Sequence, residues 1–270
     1  MTPVAASLMS RTAAAVRLAL FVAWTLLVIP PYGLTLVARW RGYRRFARLY
    51  WRGAARILGM RVIVRGEPSP THPTLFVANH ASYLDIVVLG SLIEAAFVAK
   101  KEVGGWPGIG VIAKLGRTIF VDRRPARAGE QRDEITKRLD KRESLILFAE
   151  GTSNDGNRVL PFKSALFSAA EGQVDGRPVT VQPISLAYTR LDGLPIGHGW
   201  RPFFAWYGDM TLAPHLWTVL GLGRVTAEVT YHAPTTIEAF RSRKALADHC
   251  HALVARGVAE ALSGRTAQAA

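Results

Sequence analysis

Residues 74–89 read Thr-Leu-Phe-Val-Ala-Asn-His-Ala-Ser-Tyr-Leu-Asp-Ile-Val-Val-Leu. The apolar run 74–78 predicts a short buried strand, and Ser82 with Asp85 three positions on, ahead of another apolar run, predicts a helix N-terminus. His80 therefore falls on the turn between strand and helix. Within one regular helix a separation of five would rotate His80 and Asp85 apart by about 140°. On a turn, the imidazole can fold back to the carboxylate. With one ring nitrogen held by Asp85, the other is a base near neutral pH, as deprotonation of an alcohol requires. The plainer reading is a capping aspartate beside a turn histidine, and this segment alone leaves both open.

The chain has 270 residues, 49% of them hydrophobic, and a mean hydropathy of +0.14, enough to bury a substantial core. One α/β domain of residues 58–270 behind an N-terminal membrane-anchoring segment of residues 1–57 is expected. Cys250 is the single cysteine, so no internal disulfide forms. His249 and His251 flank it, but adjacent helix positions do not share a face, so no metal site is expected there. Cys250 reads as a small packing residue.

The net charge of +14 is unevenly spread. Eleven arginines and no carboxylate precede Glu67. Leu18 to Ala38 is uncharged and mostly apolar, about the length that crosses a hydrocarbon core. Pro30-Pro31 interrupts it, so the segment is expected to cross with a bend or to enter and leave on one side as two short helices. The arginines that follow put the bulk of the protein in the cytoplasm if it crosses. That dense cluster and the lack of a cleavage site weigh against a signal peptide. Residues 39–56 alternate arginine with aromatic and aliphatic residues, as suits a helix in the headgroup layer. Nucleic acid is the rival partner for such a basic stretch. The adjacent apolar segment decides for membrane lipids over nucleic acid.

Beyond Arg61, strands are predicted at 61–65, 74–78, 94–99, 117–122, 144–149, 179–187 and 224–231, with a last helix near 236–263. This pattern gives a mostly parallel sheet flanked by helices. Chemistry in such sheets gathers in loops beyond the carboxyl ends of strands, where three polar clusters fall. These are the His80 turn, the run Gly116-Arg117-Thr118-Ile119-Phe120-Val121-Asp122-Arg123, and Leu147-Phe148-Ala149-Glu150-Gly151-Thr152-Ser153. Singly, each of the last two reads as a solvated pair or a turn.

In order and spacing these segments, together with Val179-Thr180-Val181-Gln182-Pro183-Ile184, resemble the four blocks of the glycerolipid acyltransferase family, which includes bacterial 1-acylglycerol-3-phosphate acyltransferases. The resemblance covers about residues 58–190. It implies transfer of a fatty acyl chain from acyl carrier protein or coenzyme A to a free hydroxyl of a lysolipid, at the cytoplasmic face of the inner membrane. It further implies His80 as base, Asp85 as its partner, and Glu150 and Gly151 as residues that help hold the acceptor; Thr152, Lys100 and Arg123 are expected beside them as acceptor-binding residues. No cofactor or metal is expected. A thioester is already activated, so the enzyme must position the hydroxyl, remove its proton and stabilise the oxyanion. Cys250 is remote from all four blocks and no Gly-x-Ser-x-Gly elbow occurs, so no covalent acyl-enzyme is expected.

The third block departs from the family pattern. Ser153 stands where an arginine commonly follows Glu-Gly-Thr, and Ala149 replaces a proline. Without that guanidinium, bidentate recognition of a phosphate weakens. Lys100, Arg117, Arg123, Arg158 and Lys163 are cations that could compensate. The stretch 149–163 resembles the branch that acylates lyso-ornithine lipid, which carries no phosphate, and this is the leading acceptor over lysophosphatidate. A lipid hydrolase using the same base on water and a non-catalytic membrane-binding protein are the readings from other classes. The aromatic stretch 200–220 reads as core or interfacial packing.

Overall fold

The computed structural model describes residues 9–38, 43–106, 108–121 and 128–265. Helices α1 (Arg11–Val37) and α2 (Tyr43–Ile57) come first. Then alternate strands β1 (Met60–Arg65) and β2 (Thr74–Ala78), helix α3 (Leu84–Leu92), strand β3 (Ala96–Lys100), helix α4 (Ile109–Leu115), strand β4 (Ile119–Val121), helix α5 (Ala128–Asp140) and strand β5 (Leu145–Phe148). A 3-10 stretch (Ser164–Glu171) and a small hairpin of β6 (Gln173–Val174) and β7 (Arg177–Pro178) lead to β8 (Thr180–Leu191), which pairs with β9 (Leu194–Pro195). Helix α6 (Leu212–Gly221), strand β10 (Val225–Tyr231) and helix α7 (Arg243–Leu262) follow.

The main sheet runs β1-β10-β8-β2-β5-β3-β4, parallel throughout except at β10–β8, with β9 added antiparallel to β8. The expected class, a mostly parallel sheet flanked by helices, is what forms. All five residues of β2 are buried, as a central strand covered on both faces requires. Phe76 and Ala78 face a core shared with α1, α2, α3 and α6, while Leu75 and Val77 face one shared with α5 and α7. Cys250 packs in the second core. Because β2, β3, β4, β5 and β8 run the same way, the loops after Ala78, Lys100 and Phe148 leave from one edge of the sheet.

Two expected boundaries shift for local reasons. The strand expected at 117–122 starts only at Ile119, because the amides of Gly116, Arg117 and Thr118 close α4 and Arg117 turns at φ 56°; its last expected residue, Asp122, lies outside the described residues. The last helix starts at Arg243, where the Ser242 hydroxyl accepts from the Ala245 amide; Ile237–Ala239 before it is a single 3-10 turn.

Helix α1 is one continuous helix through Pro30-Pro31, contrary to the expected interruption. Both prolines lie on the exposed face, and side-chain bonds on the opposite face hold the helix on either side of them. Arg17 Nη1 donates to the Leu220 and Leu222 carbonyls, Trp24 Nε1 to the Tyr50 carbonyl at 3.0 Å, and the Tyr32 hydroxyl to the Leu115 carbonyl at 2.7 Å. Leu26, Leu27, Leu34 and Val37 remain exposed along the outer side. In α2, Arg48 pairs with Glu94 at 3.0 Å and Arg52 Nε donates to the Ser91 carbonyl. These two arginines thus grip the end of α3 rather than forming part of a free basic face; residues 39–42 lie outside the described residues.

Candidate active site

The turn after β2 carries His80, and the first turn of α3 carries Asp85. His80 Nδ1 lies 2.8 Å from Asp85 Oδ2. The same oxygen accepts the Ala81 and Ser82 amides at 2.8 and 2.9 Å, and Oδ1 accepts the Tyr188 hydroxyl at 2.7 Å. Asp85 is fully buried and surrounded by donors, so it is an acceptor and the His80 Nδ1–H donates to it. That leaves Nε2 with its lone pair. One carboxylate oxygen thus receives the turn amides and the imidazole together, so the capping contacts and the histidine contact coexist. Among the described residues the Ser82 hydroxyl accepts from the Leu84 amide alone, at 3.3 Å. The imidazole stacks on Phe148, with centroids 4.0 Å apart, and keeps 21% of its side chain exposed, enough for a substrate to reach it.

Strand β5 delivers Glu150 beside this turn because β2 and β5 are adjacent and parallel. Glu150 Oε1 accepts the His80 amide at 2.8 Å; Oε2 accepts Asn154 Nδ2 at 2.6 Å and the Leu160 amide at 3.0 Å. Burial pushes its carboxyl up to about 7, against the lowering pull of those three bonds and of His80. Asn79 fixes the other side, donating to the Leu186 carbonyl and accepting the Leu186 amide, both at 2.8 Å. The aromatic stretch does more than pack: the Trp206 amide donates to the Ala81 carbonyl at 2.8 Å, and Trp206 meets the ring of Tyr83.

The structure thus brings together His80, Asp85, Glu150 and Gly151. Gly151 has φ 70°, a conformation that favours glycine, and the flexible end of the Lys163 side chain lies 3.0–3.2 Å from where a Cβ would stand. Thr152 is exposed on the same loop. Lys100 ends β3, exposed at the same sheet edge. Arg123 lies outside the described residues. Arg117 precedes β4, at the opposite edge, where it pairs with Glu143 at 2.6 Å, so it does not serve this site. Among the described residues no cluster of His, Cys, Asp and Glu could hold a metal ion. Sequence reading missed Tyr188 and Phe148, whose contacts to Asp85 and His80 are distant in sequence, and Asn154, whose bond to Glu150 spans four positions of an irregular loop. Phe148 also stacks on Phe97 at 6.1 Å, and Phe97 borders an apolar cavity of about 100 Å³ between α2, α3 and α4, lined also by Trp51, Ile86 and Ile112.

A buried carboxylate orienting an accessible histidine, at the carboxyl edge of parallel strands, defines a site for acid–base chemistry on a hydroxyl or water. An acyltransferase family profile matches residues 61–187. The chain is 41% identical over 251 residues to the lyso-ornithine lipid O-acyltransferase of Brucella abortus, covering 92% of this chain and 94% of that protein. It is 30% identical over 198 residues to the 1-acyl-sn-glycerol-3-phosphate acyltransferase of Neisseria gonorrhoeae, covering 72% of each. The crystal structure of the 1-acyl-sn-glycerophosphate acyltransferase from Thermotoga maritima shares the fold, with a TM-score of 0.63 at 21% identity over 92% of this chain and 97% of that one. The chain belongs to the acyltransferase family, and it is an enzyme that moves an acyl group from a donor to a lysolipid acceptor.

Proposed function

We propose that the protein transfers a fatty acyl chain from acyl carrier protein, or from coenzyme A, to the hydroxyl of lyso-ornithine lipid, with His80 as general base and Asp85 as its orienting partner. The observation that carries this reading is the 2.8 Å bond from His80 Nδ1 to a buried, fully bonded Asp85. Nε2 removes the acceptor's proton as its oxygen attacks the thioester carbonyl. The tetrahedral intermediate collapses, the C–S bond breaks, and the imidazolium returns the proton to the departing thiolate. Glu150 holds the His80 backbone, so that the imidazole starts from a fixed turn. The cavity behind Phe97 suits the acyl chain.

The acceptor assignment rests on the 41% identity to a protein of that activity and on Ser153 in place of a guanidinium. Lys163, packed against Gly151, supplies a single cation suited to a carboxylate, with Lys100 and Arg123 as further acceptor-binding cations. Lysophosphatidate is the second reading, supported by the 30% identity to the 1-acyl-sn-glycerol-3-phosphate acyltransferase of Neisseria gonorrhoeae. Residues 1–57 anchor residues 58–270 to the cytoplasmic face of the inner membrane. Bonds to the domain run along α1 from the Ser10 amide, which meets the Gly221 carbonyl, to the Tyr32 hydroxyl. The helix therefore lies in the membrane plane, its exposed leucines in the lipid. Offering purified protein both acceptors with a labelled donor tests the assignment. Conversion of lyso-ornithine lipid is expected, and conversion of lysophosphatidate alone would overturn it.

A further inference from the structure

Asp85 divides its bonds unevenly. Oδ2 receives three donors, the His80 ring and the Ala81 and Ser82 amides, whereas Oδ1 receives the Tyr188 hydroxyl alone among the described residues. The terminal torsion of an aspartate is soft, so bonds rather than rotamer preference fix how its two oxygens point. Tyr188 is itself held firmly. It projects from β8 into the same core as Ile184 and Leu186, is 4% exposed, and stacks on Phe204 with centroids 6.1 Å apart. Strand β8 is registered on β2 by the Ile184–Ala78 pairing, and Asn79 clasps Leu186 two residues before Tyr188. The phenol is a strut between β8 and α3, and it joins the strand that carries the fourth sequence block to the first block.

We propose that Tyr188 is a positioning residue for acyl transfer, its hydroxyl fixing the Asp85 carboxylate in the rotation that aims Oδ2 at His80 Nδ1 and taking up part of the carboxylate charge. The inference rests on the reading of His80 as base. Burial, reinforced by the Asp85 charge, raises the phenol well above its ordinary range, so Tyr188 stays a neutral donor at any working pH. The ring of Tyr188 fills the core beside Ile184 and Leu186, and its hydroxyl makes the bond to Asp85.

Tyr188→Phe keeps the ring and its stack and removes only the hydroxyl. Loss of one donor to a buried carboxylate is expected to lower kcat about 10- to 100-fold. KM for donor and acceptor should stay within about twofold, since Tyr188 touches neither. The acid limb of kcat should move to higher pH, because less of the carboxylate charge is shared and the imidazolium is held more strongly. In an Asp85→Asn background the same change should alter residual transfer by less than about twofold, since the anion it serves is gone. Unchanged kcat with an unmoved acid limb in Tyr188→Phe, or an equal fractional loss in the Asp85→Asn background, would overturn the inference. His80→Ala, run alongside, separates the two claims. Full activity in that variant would defeat the base reading itself, whereas an inactive His80→Ala beside an unaffected Tyr188→Phe would defeat the Tyr188 inference alone.

Discussion

Glu150 is the residue whose environment most exceeds what a sequence can show. Its place at the end of an apolar strand is legible; that it is 1% exposed and bonded to the His80 amide, Asn154 and Leu160 is not, because these partners lie up to seventy positions away. His80 and Asp85 could be paired from sequence because the turn brings them together within five residues, whereas Tyr188 is 103 positions from the carboxylate it serves. The raised Glu150 carboxyl makes a prediction about pH. In the unfolded chain it releases its proton near the ordinary value of 4.5, but in the folded protein only near 7. Between these values the folded state binds more protons, so stability falls as pH rises through the window and levels off above it. The change amounts to about 3 kcal/mol. Denaturation midpoints measured from pH 4.5 to 8 should fall in the intact protein. In Glu150→Gln that contribution should vanish, on a lower overall stability because Asn154 Nδ2 and the Leu160 amide lose a shared acceptor. An identical slope in both proteins would show that Glu150 is not the group responsible.

At the scale of elements, the strand and helix pattern was readable because periodicity and turn residues are local. The paths of α1 and β4 were not, because neighbouring helices decided them. The proline pair removes two amides from α1, yet bonds from Trp24 to α2 and from Tyr32 to the end of α4 bracket it and hold the continuous helix along the domain. Close approach of α1 and α2 depends on Gly53, where a Cβ would stand 2.2 Å from the Trp24 ring. Gly53→Val is therefore expected to push the indole off the Tyr50 carbonyl and cost about 1–3 kcal/mol. Faster proteolysis within residues 9–38, with transfer activity at low temperature retained, is the expected signature. Unchanged proteolysis and an unchanged thermal midpoint would show that the two helices do not need this contact.

On the scale of the whole molecule, charge and hydropathy pointed to a lipid surface, but they left open whether residues 18–38 cross it. The bonds from Ser10 to Tyr32 span about 33 Å of helix, comparable to a hydrocarbon core about 30 Å thick. A crossing helix would carry α4 and α6 into the bilayer with it, and this packing is the ground for the in-plane helix proposed above. Single cysteines placed at Ser10 and at Val37, in a Cys250→Ala protein reconstituted into sealed vesicles, should be labelled by an impermeant reagent from the same side as the domain. Labelling from opposite sides would show a crossing helix. The central claim, base catalysis by His80 on a lysolipid hydroxyl, is tested most directly by acyl transfer. The detergent-purified protein and its His80→Ala variant would be assayed with labelled acyl carrier protein donor and with lyso-ornithine lipid and lysophosphatidate supplied in parallel. The account predicts transfer to lyso-ornithine lipid by the intact protein and a loss of about 100- to 10,000-fold in kcat for the folded variant. Transfer by His80→Ala at the rate of the intact protein would contradict it.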